Sequence, residues 1–327
     1  MASFSTIHPS CCTAETSPWA PRERTLPFHL ARVFYDSEGN LADSHRRAVC
    51  SLSYTVHGSV TVPENLIYHY TSIEAFSSMM ATGELWASHH SSMNDFQEIE
   101  HAWRVVCQQT ANYMLKKGFC GNKFSAVEAV FLENLEFYIC SFSREENSLA
   151  QWRAYAHPSG VAVSFSESLF PSFGCSFSPY VLKPVIYDDV AKANAVLSIA
   201  KKLAEVFDSG MDISDIRLMA YSLKDQFRHV APFLKNGGFS EENEVRLVSD
   251  GKGYQIFERD GRFGKVKFIK ISFLEAFQFA DGLDFCVCDV LTGPSRDPNK
   301  CVSRVGEIMN KNRRKFKVIY DCGIPFR

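Results

Sequence analysis

The chain has 327 residues, 46% of them apolar and 13% aromatic, with a formal net charge of -2 and a pI of about 6.6. That apolar content is ample for one large domain or two, and the balanced charge excludes the basic field that grips a polyphosphate, so nucleic acid is not an expected partner. Eleven scattered cysteines, without a Cys-x-x-Cys pair or a His-x-x-x-His, point to free thiols in a reducing compartment and to no metal site. No apolar run is long enough to span a bilayer, and the amino terminus lacks the charged and apolar regions of a secretory signal.

Residues 1 to about 26 are rich in Ser, Thr and Pro and poor in large aliphatics, a composition that reads as a disordered leader. Residues 27–64 alternate short apolar and polar groups, with strand-like Ala31 to Tyr35 and Ser51 to Val62, and read as an accessory extension. The remainder, 65–327, reads as one domain. Leu66 to Ser72 is a short strand running into a helix, with Thr71 and Glu74 at capping-box spacing and Gly83 as the stop. His69 stands where that strand ends, as a core histidine or a cleft residue. Leu85 to Ser92 is extended, and Met93 to Glu98 opens the next helix with Asp95 and Glu98 as its caps.

Phe137 to Ser143 and Gly160 to Phe165 alternate as half-buried strands do. Between them Ser148 caps a helical turn that sets Trp152 and Tyr155 on one face, either as core or as a stacking wall for a flat ring. Val181 to Tyr187 reads as a strand, and Ala193 to Phe233 as two amphipathic helices broken near Ser209-Gly210. The stretch Phe239 to Val248 places three carboxylates and a guanidinium on an expected strand, Glu242, Glu244 and Arg246 on one side, Val245 and Leu247 on the other. Arg246 on that row favours both carboxylates in the ionised form. The competing reading is a charged, solvent-facing edge strand. Strands at Lys265 to Ile271, Phe285 to Leu291 and Phe316 to Tyr320 follow, the last two joined by a helix through Val305 to Met309 in a βαβ-like unit. Neither a Gly-x-Gly-x-x-Gly fingerprint, a P-loop nor a Gly-x-Ser-x-Gly elbow occurs, so a nucleotide would be held in another way.

The ordered set Leu-Ile-Tyr-His-Tyr-Thr-Ser, Met-Asn-Asp, Ser-Phe-Ser, Trp-Arg-Ala-Tyr-Ala, Gly-Val-Ala-Val-Ser-Phe and Glu-Glu-Asn-Glu-Val-Arg-Leu-Val resembles the bacterial DUF2971 family over about Leu66 to Arg327. That family in turn resembles the ADP-ribosyltransferases. The resemblance implies an α+β fold with a split, mostly antiparallel sheet and flanking helices. It implies NAD as substrate, Glu244 as the catalytic carboxylate and Glu242 as the group that orients or deprotonates the acceptor. By the same resemblance His69 would hold the adenosine-side ribose or the diphosphate, Tyr155 or Trp152 would flank nicotinamide, and Tyr70, Thr71, Asn94, Ser143 and Arg246 would complete the NAD site. The expected activity is mono-ADP-ribosyl transfer to a protein, with actin, GTPases and ubiquitin as acceptors known for the class. NAD hydrolysis and a non-enzymatic binding or immunity-type module are the alternatives. The Ser/Thr-rich start resembles the leaders of type III effectors, which implies non-classical export into a host cytosol; otherwise the place is the bacterial cytoplasm.

Overall fold

A computed structural model of the chain describes residues 65–92, 98–114, 122–156, 159–167, 170, 180–261, 264–273, 289–313 and 318–325. The expected leader, the accessory extension with Ser51 to Val62, and the helix start containing Asn94 and Asp95 lie outside these residues. Among the described residues the strands are β1 (Leu66–Thr71), β2 (Glu84–His89), β3 (Tyr138–Ser143), β4 (Val161–Ser166), β5 (Tyr180–Pro184), β6 (Glu244–Ser249), β7 (Phe257–Gly261), β8 (Gly264–Ser272), β9 (Asp289–Thr292) and β10 (Val318–Asp321). The helices are α1 (Ile73–Thr82), α2 (Glu98–Met114), α3 (Asn122–Leu132), α4 (Leu149–Tyr155), α5 (Asp189–Ala195), α6 (Leu197–Asp208), α7 (Ile213–Arg228) and α8 (Pro298–Lys311).

The strands form an open, mostly antiparallel sheet that divides at β3. One side of β3 pairs with β6 along its whole length, from Tyr138 opposite Ser249 to Ser143 opposite Glu244. Its other side is shared: β1 takes one end through Tyr68 opposite Ser143, and β2 takes the other through Ser88 opposite Ile139. From there β1 leads to β4, β9 and β10, while β2 leads to β8 and β7. The two arms therefore separate opposite Cys140 to Phe142. The β9 and β10 pairing is parallel with α8 between them, which is the expected closing βαβ unit.

Strand alternation assigns each face its own core. Ile67, Cys140, Phe142, Val163, Val245, Leu247 and Ile269 pack with Phe76 and Met80 of α1 and Val305 of α8. Ile139 and Val248 pack on the opposite side with Trp103 of α2, Phe131 of α3, Leu203 of α6 and Phe227 of α7. Three helices occupy the stretch read as two, because α5 starts early on an Asp188 cap and gives way to α6 at Val196; the break between α6 and α7 falls at Ser209-Gly210, as expected.

Two local expectations are corrected. The cap of α1 is Ser72, whose hydroxyl accepts from the Ala75 amide at 3.2 Å, while Thr71 is the last residue of β1. The acidic stretch is no surface edge: β6 lies between β3 and β5 and every residue in it is buried. Its pattern also begins later than expected, since Glu242 ends a 3-10 turn (Gly237–Glu242) and Asn243 interrupts the path with φ 42° and ψ 50°. Asn tolerates this left-handed conformation better than most residues, and the interruption removes Glu242 from the strand row.

Candidate active site

The divergence of β1 from β2 opens a cleft of about 420 Å³, within the range of small-molecule sites, about 300–1,000 Å³. Because it runs through the split, side chains from both faces of the sheet line it. Seven of the expected site residues meet there: His69, Tyr70 and Thr71 from β1, Ser143 from β3, Tyr155 from α4, and Glu242 and Glu244 from the acidic stretch. Trp152 and Arg246 do not line it, and Asn94 lies outside the described residues.

His69 closes the gap that the split leaves. Its Nδ1 lies 3.0 Å from the Ser141 carbonyl, in the segment where β3 has no partner strand on that side. A carbonyl only accepts, so Nδ1 carries the proton and Nε2 of the neutral ring carries the lone pair. Burial lowers the His69 pKa and outweighs the opposing effect of the carbonyl, which keeps the ring neutral at pH 7. Cys140 Sγ lies 3.9 Å from the same Nδ1, but burial pushes its thiol up to about 12. A thiol held that high, facing a nitrogen already committed to a carbonyl, has no base beside it to activate it.

The floor on the Glu244 side is a dense ionic cluster. Arg246, fully buried, donates through Nε to Glu244 Oε1 at 2.8 Å and through Nη2 to Glu244 Oε2 at 2.9 Å. Its remaining donors reach Glu98 of α2, at 2.7 and 2.9 Å, and the Pro232 carbonyl at 2.7 Å. Lys235 Nζ joins the three carboxylates, at 2.7 Å from Glu242, 3.0 Å from Glu244 and 3.3 Å from Glu98. Burial alone would raise the Glu244 carboxyl, but Arg246, Lys235 and a Ser141 hydrogen bond hold it down to about 2. Burial would likewise lower the Lys235 ammonium, yet Glu244 and Glu98 keep it above the ordinary lysine value. Three carboxylates against two cations leave the cluster one negative charge in excess. Glu244 is thus ionised at neutral pH and saturated with partners, whereas the Glu242 side chain is 20% exposed and its carboxylate meets Lys235.

The two aromatic residues of α4 separate. Trp152 is core: it packs edge-on to Tyr70 at 4.8 Å, donates Nε1 to Asn147 Oδ1 at 2.8 Å, and leaves so little room that a Cβ on Gly293 would sit 2.8 Å from its ring. Tyr155, one turn on, is 42% exposed and lines the cleft. Tyr70 is buried and tied up, donating to the Glu145 carbonyl at 2.7 Å and accepting from the Ser148 amide at 3.1 Å. Ser143 braces the acidic turn, donating to the Glu242 carbonyl at 2.7 Å.

Three residues of the site were missed from sequence. Glu98 was read as a capping partner, although it stands at i, i+4, i+8 spacing with buried Ala102 and Val106 and so on the apolar face of α2. Lys235 follows the apolar run Val-Ala-Pro-Phe-Leu, a signal of burial for a charge that must then be paired. Gln151, only 6% exposed, lines the cleft one turn from Tyr155, and no described residue binds its carboxamide. Among the described residues no group of His, Cys, Asp or Glu is arranged to hold a metal ion, and no helix is long and apolar enough to cross a membrane.

No curated protein and no solved structure matches the chain. Residues 151–247, which run from Gln151 through Lys235, Glu242 and Glu244 to Leu247 of β6, match the family described as "Protein of unknown function (DUF2971)", a shorter span than the motif set suggested but one that supports the DUF2971 family.

Proposed function

We propose that the cleft binds NAD and that the protein transfers ADP-ribose from it to a protein acceptor. The observation that carries this reading is the meeting of His69, Thr71, Tyr155, Glu242 and Glu244 in one cleft at the split of the sheet. The nicotinamide of NAD is a cationic pyridinium, which suits a wall with an excess negative charge and an exposed Tyr155 ring. When the bond from the ribose C1′ to the pyridinium nitrogen breaks, its electron pair leaves with nicotinamide and positive charge develops on the ribose. Glu244, already ionised and fixed by Arg246 and Lys235, offers preorganised negative potential to that charge without reorganising. Glu242, the less engaged carboxylate, accepts the proton of the acceptor nucleophile as it bonds to C1′. The neutral His69 offers its Nε2 lone pair to a ribose hydroxyl.

A binding module without turnover is the second reading, favoured by the saturation of both Glu244 oxygens. Incubation of the full chain with NAD and a cell extract, followed by chromatography for nicotinamide and mass spectrometry of the extract, separates the readings. Transfer predicts free nicotinamide and a protein carrying an added ADP-ribose; nicotinamide alone means hydrolysis; neither product removes the enzymatic reading.

A further inference from the structure

The far wall of the cleft carries a feature that the acidic side does not use. On β2, Trp86 is 40% exposed and stacks on Phe268 of β8, centroids 4.4 Å apart at 23°; Phe268 stacks in turn on Phe257 of β7, at 5.6 Å and 28°. Strand register explains the ladder. Phe257 is directly opposite Phe268, which is opposite Ser88, and Trp86 is two residues before Ser88 on the same face. Two strand positions beyond Phe257 on that face, Arg259 donates Nη2 to Ser88 Oγ at 3.3 Å. Trp86, Ser88 and Arg259 all line the cleft. Lys270, opposite Trp86, is already occupied, 3.3 Å from Glu84 and over the Phe257 ring. Arg259 has no carboxylate partner among the described residues.

We infer that Trp86 and Arg259 form a nucleotide subsite, in which a purine base stacks on the exposed indole and the guanidinium takes the adjoining phosphate. The indole is held flat by the ring beneath it, so stacking costs little side-chain entropy. A guanidinium with no carboxylate partner among the described residues, on a strand and braced by a hydroxyl, is suited to bidentate binding of a phosphate. The acidic stretch thus brings excess negative charge to the cleft at Glu242 and Glu244, while on the β2–β8–β7 arm Glu84 is balanced by Lys270 and Arg259 is the cation left over. That polarity is the complement of a ligand with a cationic ring at one end and an anionic diphosphate beside a purine at the other. The inference deepens the NAD reading and rests on it for the identity of the base, adenine, but the subsite itself requires only binding.

Calorimetric titration of the full chain with AMP, adenosine and nicotinamide riboside tests it, in wild type, Trp86→Ala, Trp86→Phe and Arg259→Gln. Both positions are exposed, and Trp86→Phe keeps a ring in place if the alanine variant folds poorly. The expected result is AMP binding that falls about tenfold in Trp86→Ala, is largely kept in Trp86→Phe, and falls about fivefold in Arg259→Gln with a reduced salt dependence. Adenosine should respond to Trp86→Ala alone, and nicotinamide riboside to neither change. AMP affinity unaltered by Trp86→Ala and Arg259→Gln, or no AMP binding by the wild type, overturns the subsite. AMP binding that depends on Trp86 in a protein that never cleaves NAD would uphold the subsite and remove the transferase reading; NAD cleavage with an unchanged KM in both variants would do the reverse.

Discussion

Replacing Arg246 with Met removes one cation from a buried cluster and keeps most of the side-chain volume. The loss is worked from its bonds: two to Glu244, two to Glu98 and one to the Pro232 carbonyl, all between 2.7 and 2.9 Å. Afterwards three carboxylates share Lys235 alone, and the excess charge grows from one to two. The Glu244 carboxyl, depressed from 4.5 to about 2, reports about 3 kcal/mol of favourable interaction at about 1.4 kcal/mol for each pH unit. That figure is the joint effect of Arg246, Lys235 and Ser141 on Glu244; stripping one partner from a buried ion pair costs about 3–5 kcal/mol, which is the loss expected here. The sign with pH follows from linkage. In the wild type this contribution is fully present above pH 4.5 and is lost as pH falls toward about 2. In Arg246→Met the buried Glu244 keeps Lys235 but loses its guanidinium, so less of its depression remains to oppose burial and the variant loses less stability than the wild type on acidification. Urea unfolding at pH 7 and at pH 4 should therefore show a gap of about 3–5 kcal/mol that narrows at the lower pH. Glu98→Met combined with Arg246→Met should recover part of the loss. A gap under about 1 kcal/mol, or one that does not change with pH, would refute the view that these charges are paired and buried.

Ser72→Ala should lower stability by about 1 kcal/mol through the lost α1 cap, while Thr71→Ala leaves the melting temperature nearly unchanged and alters ligand binding alone. Gly160→Ala should cost about 3 kcal/mol or more, because its Cβ would lie 2.2 Å from the Ala156 carbonyl and 2.5 Å from the Thr71 carbonyl, both backbone; a melting curve matching wild type would show that these segments can part. His69→Ala should destabilise by about 1 kcal/mol through the unpaired Ser141 carbonyl. His69→Asn, whose amide stands in for Nδ1–H, should melt like wild type yet bind NAD more weakly by titration calorimetry.

Much of the fold could be read locally. Alternation marked β3 and β4, a short strand running into a helix marked β1, the Ser148 cap placed α4, and the succession strand, helix, strand marked the closing β9–α8–β10 unit, whose pairing is parallel. The edge strand β7 was missed because Phe-Glu-Arg-Asp-Gly is mostly charged and exposed, so it carries no burial pattern. The candidate site was legible as residue types and illegible as electrostatics. Arg246 is buried only because Glu98, 148 residues earlier, and the Pro232 carbonyl, outside the strand, meet it beside Glu244; no local period reports such partners. The left-handed Asn243 likewise hides inside a period-two pattern that runs through Glu242, Glu244 and Arg246. Trp152 and Tyr155 share a helical face by spacing, and only their surroundings, Tyr70, Asn147 and Gly293 about the one and the cleft beside the other, show that one is core and the other lines the cleft.

The central claim is that the Glu244 charge promotes cleavage of NAD. Glu244→Gln leaves Arg246 and Lys235 short of a carboxylate, so it will be less stable than wild type, and rates must be compared below the melting point of each protein. The measurement is nicotinamide release from NAD by wild type, Glu244→Gln and Glu242→Gln, with circular dichroism confirming that each is folded. The account predicts release by the wild type and a loss of about a hundredfold or more in Glu244→Gln, with Glu242→Gln impairing transfer to protein more than it impairs release. Equal release by folded wild type and folded Glu244→Gln, or none by the wild type, would contradict it.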